Sequence, residues 1–232
     1  MTTTLTLVGA ATPERPPVPP NRLLILGLVT GPLFIVAFLL EGWFRDGYDP
    51  MRHPVSSLAL GPGGWQQTLN FLICGFLTLL FAVGLRRSLR PGPGALAGPL
   101  LVGLWGLGLI GAGLFTTDPV SGYPTAASPH TWHGTLHDVL SVAAFAGLAF
   151  AMLFFGYAYW RRRSRALAVY SVLSGVAFMV LFFVSGAGFG QDPSLVDTAG
   201  SWQRLSIGVG WLWVFLLAKR CSGMRAPRRT TR

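Results

Sequence analysis

The sequence has few charged residues, and acidic residues are the scarcest of them. Only 11% of its 232 residues are charged, whereas a soluble domain typically carries about 25%. Eight residues are Asp or Glu, against 18 that are Lys or Arg. With a mean hydropathy of +0.53, this shortage argues against an ordinary soluble domain and predicts a membrane protein.

Two further absences narrow the possible classes. Only two cysteines are present, Cys74 and Cys221, and they fall at different depths of the predicted spans, so no disulfide is expected. The glycine-rich runs lack the Gly-x-x-x-x-Gly-Lys pattern of a phosphate loop, so no nucleotide is expected either. These glycines are predicted to form faces along which membrane helices pack closely.

Long apolar runs dominate what is present. A helix needs about 20 apolar residues to cross the hydrocarbon core, and six runs approach that length: 23–40, 68–85, 96–115, 136–160, 167–188 and 205–217. The last run reaches it only if the residues from Trp202 onward are helical. Because the connections are short, we expect one compact bundle of six antiparallel transmembrane helices, an all-α membrane protein.

The predicted domain organisation is a single transmembrane domain between two tails. Residues 1–20 are rich in proline and contain little that could pack, which is typical of a disordered segment. Residues 21–220 form the six-helix domain, and residues 221–232 form a basic tail. The first apolar run lacks the small-residue cleavage pattern of a signal peptide, so it is expected to remain as a helix.

Most basic residues fall at one end of the predicted bundle. If the chain crosses the membrane six times, 15 of the 18 lie on the same side as the termini. The positive-inside rule therefore predicts that both termini are cytoplasmic. The clusters also suit anionic lipid headgroups, so membrane lipids are expected partners. No nucleic-acid partner is expected, because base-stacking aromatic residues do not interleave the basic clusters.

Three connections at the opposite end share a pattern of Asp-Pro followed by a helix start at Trp-Gln or Trp-His. The pairs are Asp49-Pro50 with Trp65-Gln66, Asp118-Pro119 with Trp132-His133, and Asp192-Pro193 with Trp202-Gln203. This pattern predicts three repeated helical hairpins, which membrane folds often contain. The alternative is coincidence, because Asp-Pro commonly opens turns and tryptophan is enriched at membrane interfaces.

Three of the four histidines lie in the stretch 130–138, and all four fall at the end away from the termini. Ser128-Pro129 is predicted to start the fourth helix, with serine as the N-cap and proline at the first helical position. A helix that starts there would place His130, His133 and His137 on one face. Any chemistry at these residues is therefore predicted to face the cell exterior.

The spacing of the histidines favours a metal site. Two histidines four residues apart on one helix can bind the same metal ion. His133 and His137 are the predicted ligands, with a third from His53, Asp118 or His130. The expected cofactor is zinc or another divalent transition metal. Haem is not expected, because only one span carries histidines.

A metal bound in this way would leave a position for water, which it would activate for hydrolysis. Asp138 or Asp49 would then act as the general base. Two alternatives remain open from the residues alone. The histidines and carboxylates can form a structural polar cluster, or the histidines can sense pH, because their ordinary pKa is about 6.5.

Three motifs carry a resemblance to a known family: Asp49-x-x-x-His53-Pro-x-Ser56-x-Leu58, Phe115-x-Thr-Asp118-Pro119 and His133-Gly-x-x-His137-Asp138. Together they resemble a bacterial and archaeal multi-pass membrane family catalogued as domain of unknown function 998. The resemblance covers nearly all of the chain after residue 20. It implies six helices in a bacterial or archaeal inner membrane, and it implies no activity.

A looser resemblance is to the membrane hydrolases that include alkaline ceramidases and adiponectin receptors. That group combines a serine, an aspartate and a His-x-x-x-His pair around zinc, which implies a catalytic role for Ser57 or its neighbour Ser56. The departures are that the group has seven helices and carries the histidine pair in the last one. Here the pair falls in the fourth of six.

The leading functional hypothesis is a His/Asp-rich, outward-facing metal site that hydrolyses a lipid-like, amphiphilic small molecule. The alternative is a non-catalytic membrane protein whose cluster is structural: a small-solute carrier, a sensor or a partner-binding component. Charges are absent from the middle of every predicted span, where ion pathways usually contain them, which argues against a carrier.

Overall fold

A computed structural model describes residues 21–89, 95–124 and 130–223, and six long helices account for most of them. The helices are α1 (Leu23–Phe44), α2 (Trp65–Ser88), α3 (Ala97–Leu114), α4 (Trp132–Arg161), α5 (Arg165–Phe189) and α6 (Ala199–Gly223). All six are long and apolar enough to cross a membrane, and none of the described residues forms a strand. The prediction of an all-α, six-span membrane protein is confirmed.

The six helices form a closed ring. Each packs against its neighbours in sequence, and α6 also packs against α1. Aromatic side chains fill the middle of the ring, with centroids of contacting rings 5.0–6.0 Å apart. They are Phe34, Trp105, Phe145, Phe178 and Trp211. Large aliphatic and aromatic side chains are exposed around the outside, as expected for a surface solvated by lipid.

Glycines set the distance between neighbouring helices. A Cβ atom on Gly75 of α2 would lie 2.7 Å from the carbonyl oxygen of Gly106 in α3. A Cβ atom on Gly108 would overlap with the Cβ atom of Ala144 in α4. The packing role predicted for these glycines of α3 is therefore present, because only glycine permits such close approach.

Two helix starts bear on the sequence predictions. Helix α6 begins at Ala199, so the residues from Trp202 onward are helical, as the last span required. Helix α4 begins at Trp132, and the predicted start at Ser128-Pro129 was wrong. Thr131 is the N-cap instead: its backbone is extended, and its side-chain oxygen accepts a hydrogen bond from the Gly134 N–H at 3.0 Å.

As a consequence, His130 precedes α4 and does not share a helical face with the other two histidines. Ser128 and Pro129 themselves lie outside the described residues. The predicted tails lie outside them as well, except for residues 221–223, which belong to α6.

The two ends of the ring differ in charge, and they are named here by that difference. The basic end carries Arg86, Arg87, Arg161, Arg162, Arg163, Arg165, Lys219 and Arg220. The histidine end carries the α1–α2, α3–α4 and α5–α6 connections. It also carries all four histidines, two in these connections and two in the first turns of α4. That the basic end is cytoplasmic stays a prediction.

The three Asp-Pro turns at the histidine end are not equivalent. Asp49 accepts a hydrogen bond from the Met51 N–H at 2.8 Å, and Asp192 accepts one from the Ser194 N–H at 2.9 Å, so both close their own turn. Asp118 instead bonds to Thr131, 13 residues away. The three-hairpin repeat stays a prediction.

Candidate functional site

A cavity of about 680 Å³ occupies the histidine end of the ring. Its depth is apolar and largely aromatic, and includes Phe34, Phe71, Trp105, Phe145 and Ile207. Its mouth is polar, and includes Asp118, His137, Asp138, Ser141, Ser185 and Gln191. Both the volume and the combination of an apolar depth with a few polar groups are typical of small-molecule sites.

The cavity opens sideways between α4 and α5. The ring of Phe145 in α4 stacks on Phe178 and Phe182 in α5, with centroids 5.0 and 4.2 Å away, and this stack joins the two helices. Nearer the histidine end, the cavity is lined by the exposed Val142 and by Gly186. A Cβ atom on Gly186 would meet nothing within 4 Å. The cavity therefore reaches the outer surface of the bundle at two exposed residues, Val142 of α4 and Gly186 of α5.

Asp118 joins the α3–α4 connection to the start of α4. Its carboxylate accepts hydrogen bonds from the Thr131 N–H at 2.9 Å and from the Thr131 hydroxyl at 2.7 Å. Nδ1 of His130 lies 3.7 Å away. A Cβ atom on Gly134 would overlap with this carboxylate, so glycine there lets the acid approach the helix. A negative charge at a helix N-terminus is stabilising.

The pKa of Asp118 reflects this arrangement. Burial alone would raise it, but the two hydrogen bonds from Thr131 and the nearby imidazoles of His130 and His133 outweigh burial. They hold the pKa of the carboxyl below its usual range. Asp118 is therefore a fixed anion at neutral pH, and each of its carboxylate oxygens accepts one hydrogen bond from Thr131.

His137 is buried, and its ring lies between α3 and the cavity. Its Nδ1 atom is 2.8 Å from the Phe115 carbonyl oxygen. A carbonyl only accepts, so Nδ1 donates, and a neutral ring would carry its lone pair on Nε2. The ring also bonds to the backbone of Ala112. The adjacent Asp138 also lines the cavity and is exposed. His133 lies outside the cavity lining, and its Nδ1 is 3.1 Å from the Thr131 hydroxyl oxygen.

His53 belongs to a second, separate cluster. Its ring packs against Tyr48 and Tyr123, with centroids 5.6 and 5.1 Å away. Its Nδ1 atom accepts a hydrogen bond from the Asp49 N–H at 2.9 Å, and the ring also bonds to the backbone of Ser121. Burial lowers the pKa of His53. The ring is thus held in its neutral form by the fold of the α1–α2 connection.

Arg204 of α6 fastens this cluster to the bundle. Its guanidinium donates to the carbonyl oxygens of His53 at 3.1 Å and Gly200 at 2.9 Å, and also to the Tyr48 hydroxyl. Burial raises the pKa of Tyr48 to about 12, despite the neighbouring positive charge. Arg204 therefore ties the α1–α2 connection to α6.

The residues predicted to be catalytic are scattered. Asp138 lines the cavity, whereas Asp49 is exposed and bonds within its own turn. Ser57 is fully buried, and its hydroxyl has no hydrogen-bond partner among the described residues. Its neighbour Ser56 lines the cavity. The structure therefore brings Asp138, Ser56 and His137 to one cavity and keeps Asp49 apart from it.

The predicted metal ligands are likewise divided. Within residues 21–89, 95–124 and 130–223, no three or more His, Cys, Asp or Glu side chains are grouped so that they could hold a metal ion. His53 lies in the tyrosine cluster, His133 bonds to Thr131, and His137 bonds to Phe115. This geometry does not support the metal site, which stays a prediction.

Sequence analysis missed the apolar depth of the cavity, because its residues are indistinguishable from ordinary core residues along a helix. One residue in the sequence could have indicated the cavity. Trp105 lies in the middle of α3, whereas tryptophan in membrane proteins is concentrated at the interfaces. Its indole nitrogen is buried and has no hydrogen-bond partner among the described residues, and its ring lines the cavity.

The family model described as "Protein of unknown function (DUF998)" matches residues 28–220. This stretch contains every residue that lines the cavity. No curated protein matches the chain, and no solved structure matches it.

Proposed function

The chain belongs to the DUF998 family of unknown function, and we propose that it binds an amphiphilic small molecule in the cavity at the histidine end. The single observation that carries this proposal is the form of the cavity. An aromatic depth, a polar mouth and a side opening towards lipid occur in one space of about 680 Å³. An amphiphile matches all three, because its apolar part can enter from the membrane while its headgroup stays at the mouth.

The charges at the mouth favour a cationic or hydrogen-bond-donating headgroup. Asp118 and Asp138 line the cavity, and no described lysine or arginine does. The arginines at this end are engaged elsewhere, Arg45 with Glu41 and Arg52 with Asp197. An anionic headgroup would face two carboxylates with no lysine or arginine in the described lining to offset their charge, which is unfavourable.

Closing the side opening tests the proposal. We expect Gly186→Trp to weaken binding of a fluorescent long-chain alkylammonium probe about tenfold, because the indole would occupy the gap between α4 and α5. Gly208→Trp in α6 is the matched control: a Cβ atom there also meets nothing within 4 Å, and Gly208 does not line the cavity. Affinity is measured by fluorescence titration of the purified protein in detergent.

Two results would contradict the proposal. Equal affinity in wild type and Gly186→Trp would show that the probe does not use this opening. Equal loss in Gly186→Trp and Gly208→Trp would show that the probe binds to the outer surface of the bundle. An alkyl sulfate of the same chain length should bind more weakly than the ammonium probe.

Hydrolysis of the bound amphiphile is the second candidate function, and the orientation of His137 favours it. Its neutral ring carries the lone pair on Nε2, so it can take a proton from water while the water oxygen adds to an ester or amide carbon. The proton then passes to the leaving oxygen or nitrogen. Incubation with long-chain esters and amides, followed by mass spectrometry of released fatty acid, tests this. Product formation that persists in His137→Gln would exclude His137 as the base.

The zinc or other divalent metal predicted from the histidine spacing is tested separately. Under that hypothesis, elemental analysis of the purified wild type finds about one metal per chain, and His133→Ala/His137→Ala loses it. Substoichiometric metal in the wild type would exclude the metal-binding hypothesis without affecting the binding proposal.

A further inference from the structure

A second pocket, of about 390 Å³, lies at the basic end between α4, α5 and α6. It is separate from the cavity at the histidine end and shares no lining residue with it. Its walls are mostly apolar, with Leu167 from α5 and Trp213, Leu216 and Leu217 from α6. Such walls suit a hydrocarbon chain.

Two cations stand at the mouth of this pocket. Lys219 and Arg220 of α6 both line it and are both exposed. Neither forms an ion pair with a carboxylate among the described residues, and no acidic residue lines the pocket. Their charges are therefore available to an anion, and arginine in particular is suited to phosphate oxygens.

A buried hydroxyl completes the polar part of the pocket. The Tyr170 hydroxyl is buried and has no hydrogen-bond partner among the described residues. The neighbouring Ser171 already accepts a hydrogen bond from the Trp213 indole at 3.1 Å. A buried hydroxyl without a partner costs free energy, and an oxygen of a bound ligand would satisfy it.

We propose that this pocket binds an anionic phospholipid. One acyl chain lies against Leu167, Trp213 and Leu217, and the phosphate group meets Lys219, Arg220 and the Tyr170 hydroxyl. Inorganic phosphate carries the same anionic group as this lipid. It has no acyl chain, however, so the apolar walls favour the lipid. This proposal does not depend on the function proposed for the cavity at the histidine end.

Native mass spectrometry of the full chain, titrated with phosphatidylglycerol in detergent, tests the proposal. We expect Lys219→Gln/Arg220→Gln to weaken phosphatidylglycerol binding about thirtyfold, since each of the two cations near an anionic headgroup contributes about 1 kcal/mol. Arg86→Gln/Arg87→Gln is the matched control. It removes the same charge from the same end of the bundle, but both residues lie outside the pocket.

A second variant probes the hydroxyl without altering charge. Tyr170→Phe keeps the ring and should weaken phosphatidylglycerol binding severalfold. Phosphatidylcholine, which has no net charge, and inorganic phosphate, which has no acyl chain, should bind far more weakly than phosphatidylglycerol.

Each remaining outcome would overturn the proposal. Equal losses in the two double variants would show unspecific attraction to the basic end. Equal binding of phosphatidylcholine would show that the anion is not recognised. Equal binding of inorganic phosphate would show a phosphate site and not a lipid site.

Discussion

Replacing Gly108 by leucine is expected to destabilise the bundle by about 3 kcal/mol, the upper part of the usual range for overpacking. A Cβ atom at this position would overlap with the Cβ atom of Ala144 and would lie 3.2 Å from the carbonyl oxygen of Leu140. The Leu140 carbonyl oxygen belongs to the backbone of α4, which cannot move aside as a long, flexible side chain could. The added side chain must therefore push α3 and α4 apart over several turns.

The free energy of unfolding, measured by denaturant titration in mild detergent, checks this expectation. Gly208→Leu is the control, since it adds the same side chain where a Cβ atom meets nothing within 4 Å. Gly108→Ala should be milder than Gly108→Leu, and combining it with Ala144→Gly should restore part of the loss. Equal stability of Gly108→Leu and Gly208→Leu would show that the two helices are not in close contact here.

The spans themselves could be predicted because a helix in lipid must satisfy its own backbone and present apolar side chains. The run 136–160 therefore corresponds closely to α4, and the final span could be extended to Trp202 by its required length alone. The sequence does not show which helices pack against each other. Contact between α1 and α6 closes the ring, and no local pattern in either helix specifies that partner.

The cavity could not be predicted for a similar reason. Beyond the stack of Phe145 on Phe182 it is lined by Gly186, where a Cβ atom would meet nothing within 4 Å. Glycine in α3 has the opposite consequence, since Gly108 lies directly against α4. The sequence shows the same residue type in both places, and only the packing distinguishes a contact from an opening.

The histidine stretch shows how far a local pattern can lead. The spacing of His133 and His137 placed both on α4, which is what the structure shows. It did not show that they would have different neighbours: His137 bonds to the carbonyl of Phe115, just past the end of α3, while His133 bonds to Thr131. The start of the helix was misplaced because Ser-Pro is a good start signal locally. The tertiary bond between Asp118 and Thr131 favours a later one.

The second large effect on stability concerns the hydrogen bonds between Asp118 and Thr131. Asp118→Ala is expected to cost about 2 kcal/mol of stability at neutral pH, because hydrogen bonds to a charged acceptor contribute about 1.5–3 kcal/mol. The Thr131 N–H and hydroxyl would lose their acceptor, and the start of α4 would lose the favourable negative charge. Asp192→Ala is the matched control, since among the described residues the Asp192 carboxylate accepts hydrogen bonds only from Ser194, in its own exposed turn. We expect it to change stability little.

The effect of Asp118 should also depend on pH. Its pKa in the folded chain lies below the ordinary value, which is about 3.9 for an unfolded chain. The stability that Asp118 contributes is therefore fully present when the pH is above the ordinary pKa. It declines as the pH falls through the ordinary pKa towards the lower pKa of the folded chain. The difference in unfolding free energy between wild type and Asp118→Ala should shrink as the pH falls below about 4. A difference that did not shrink below about pH 4 would mean that Asp118 is not held as an anion by Thr131.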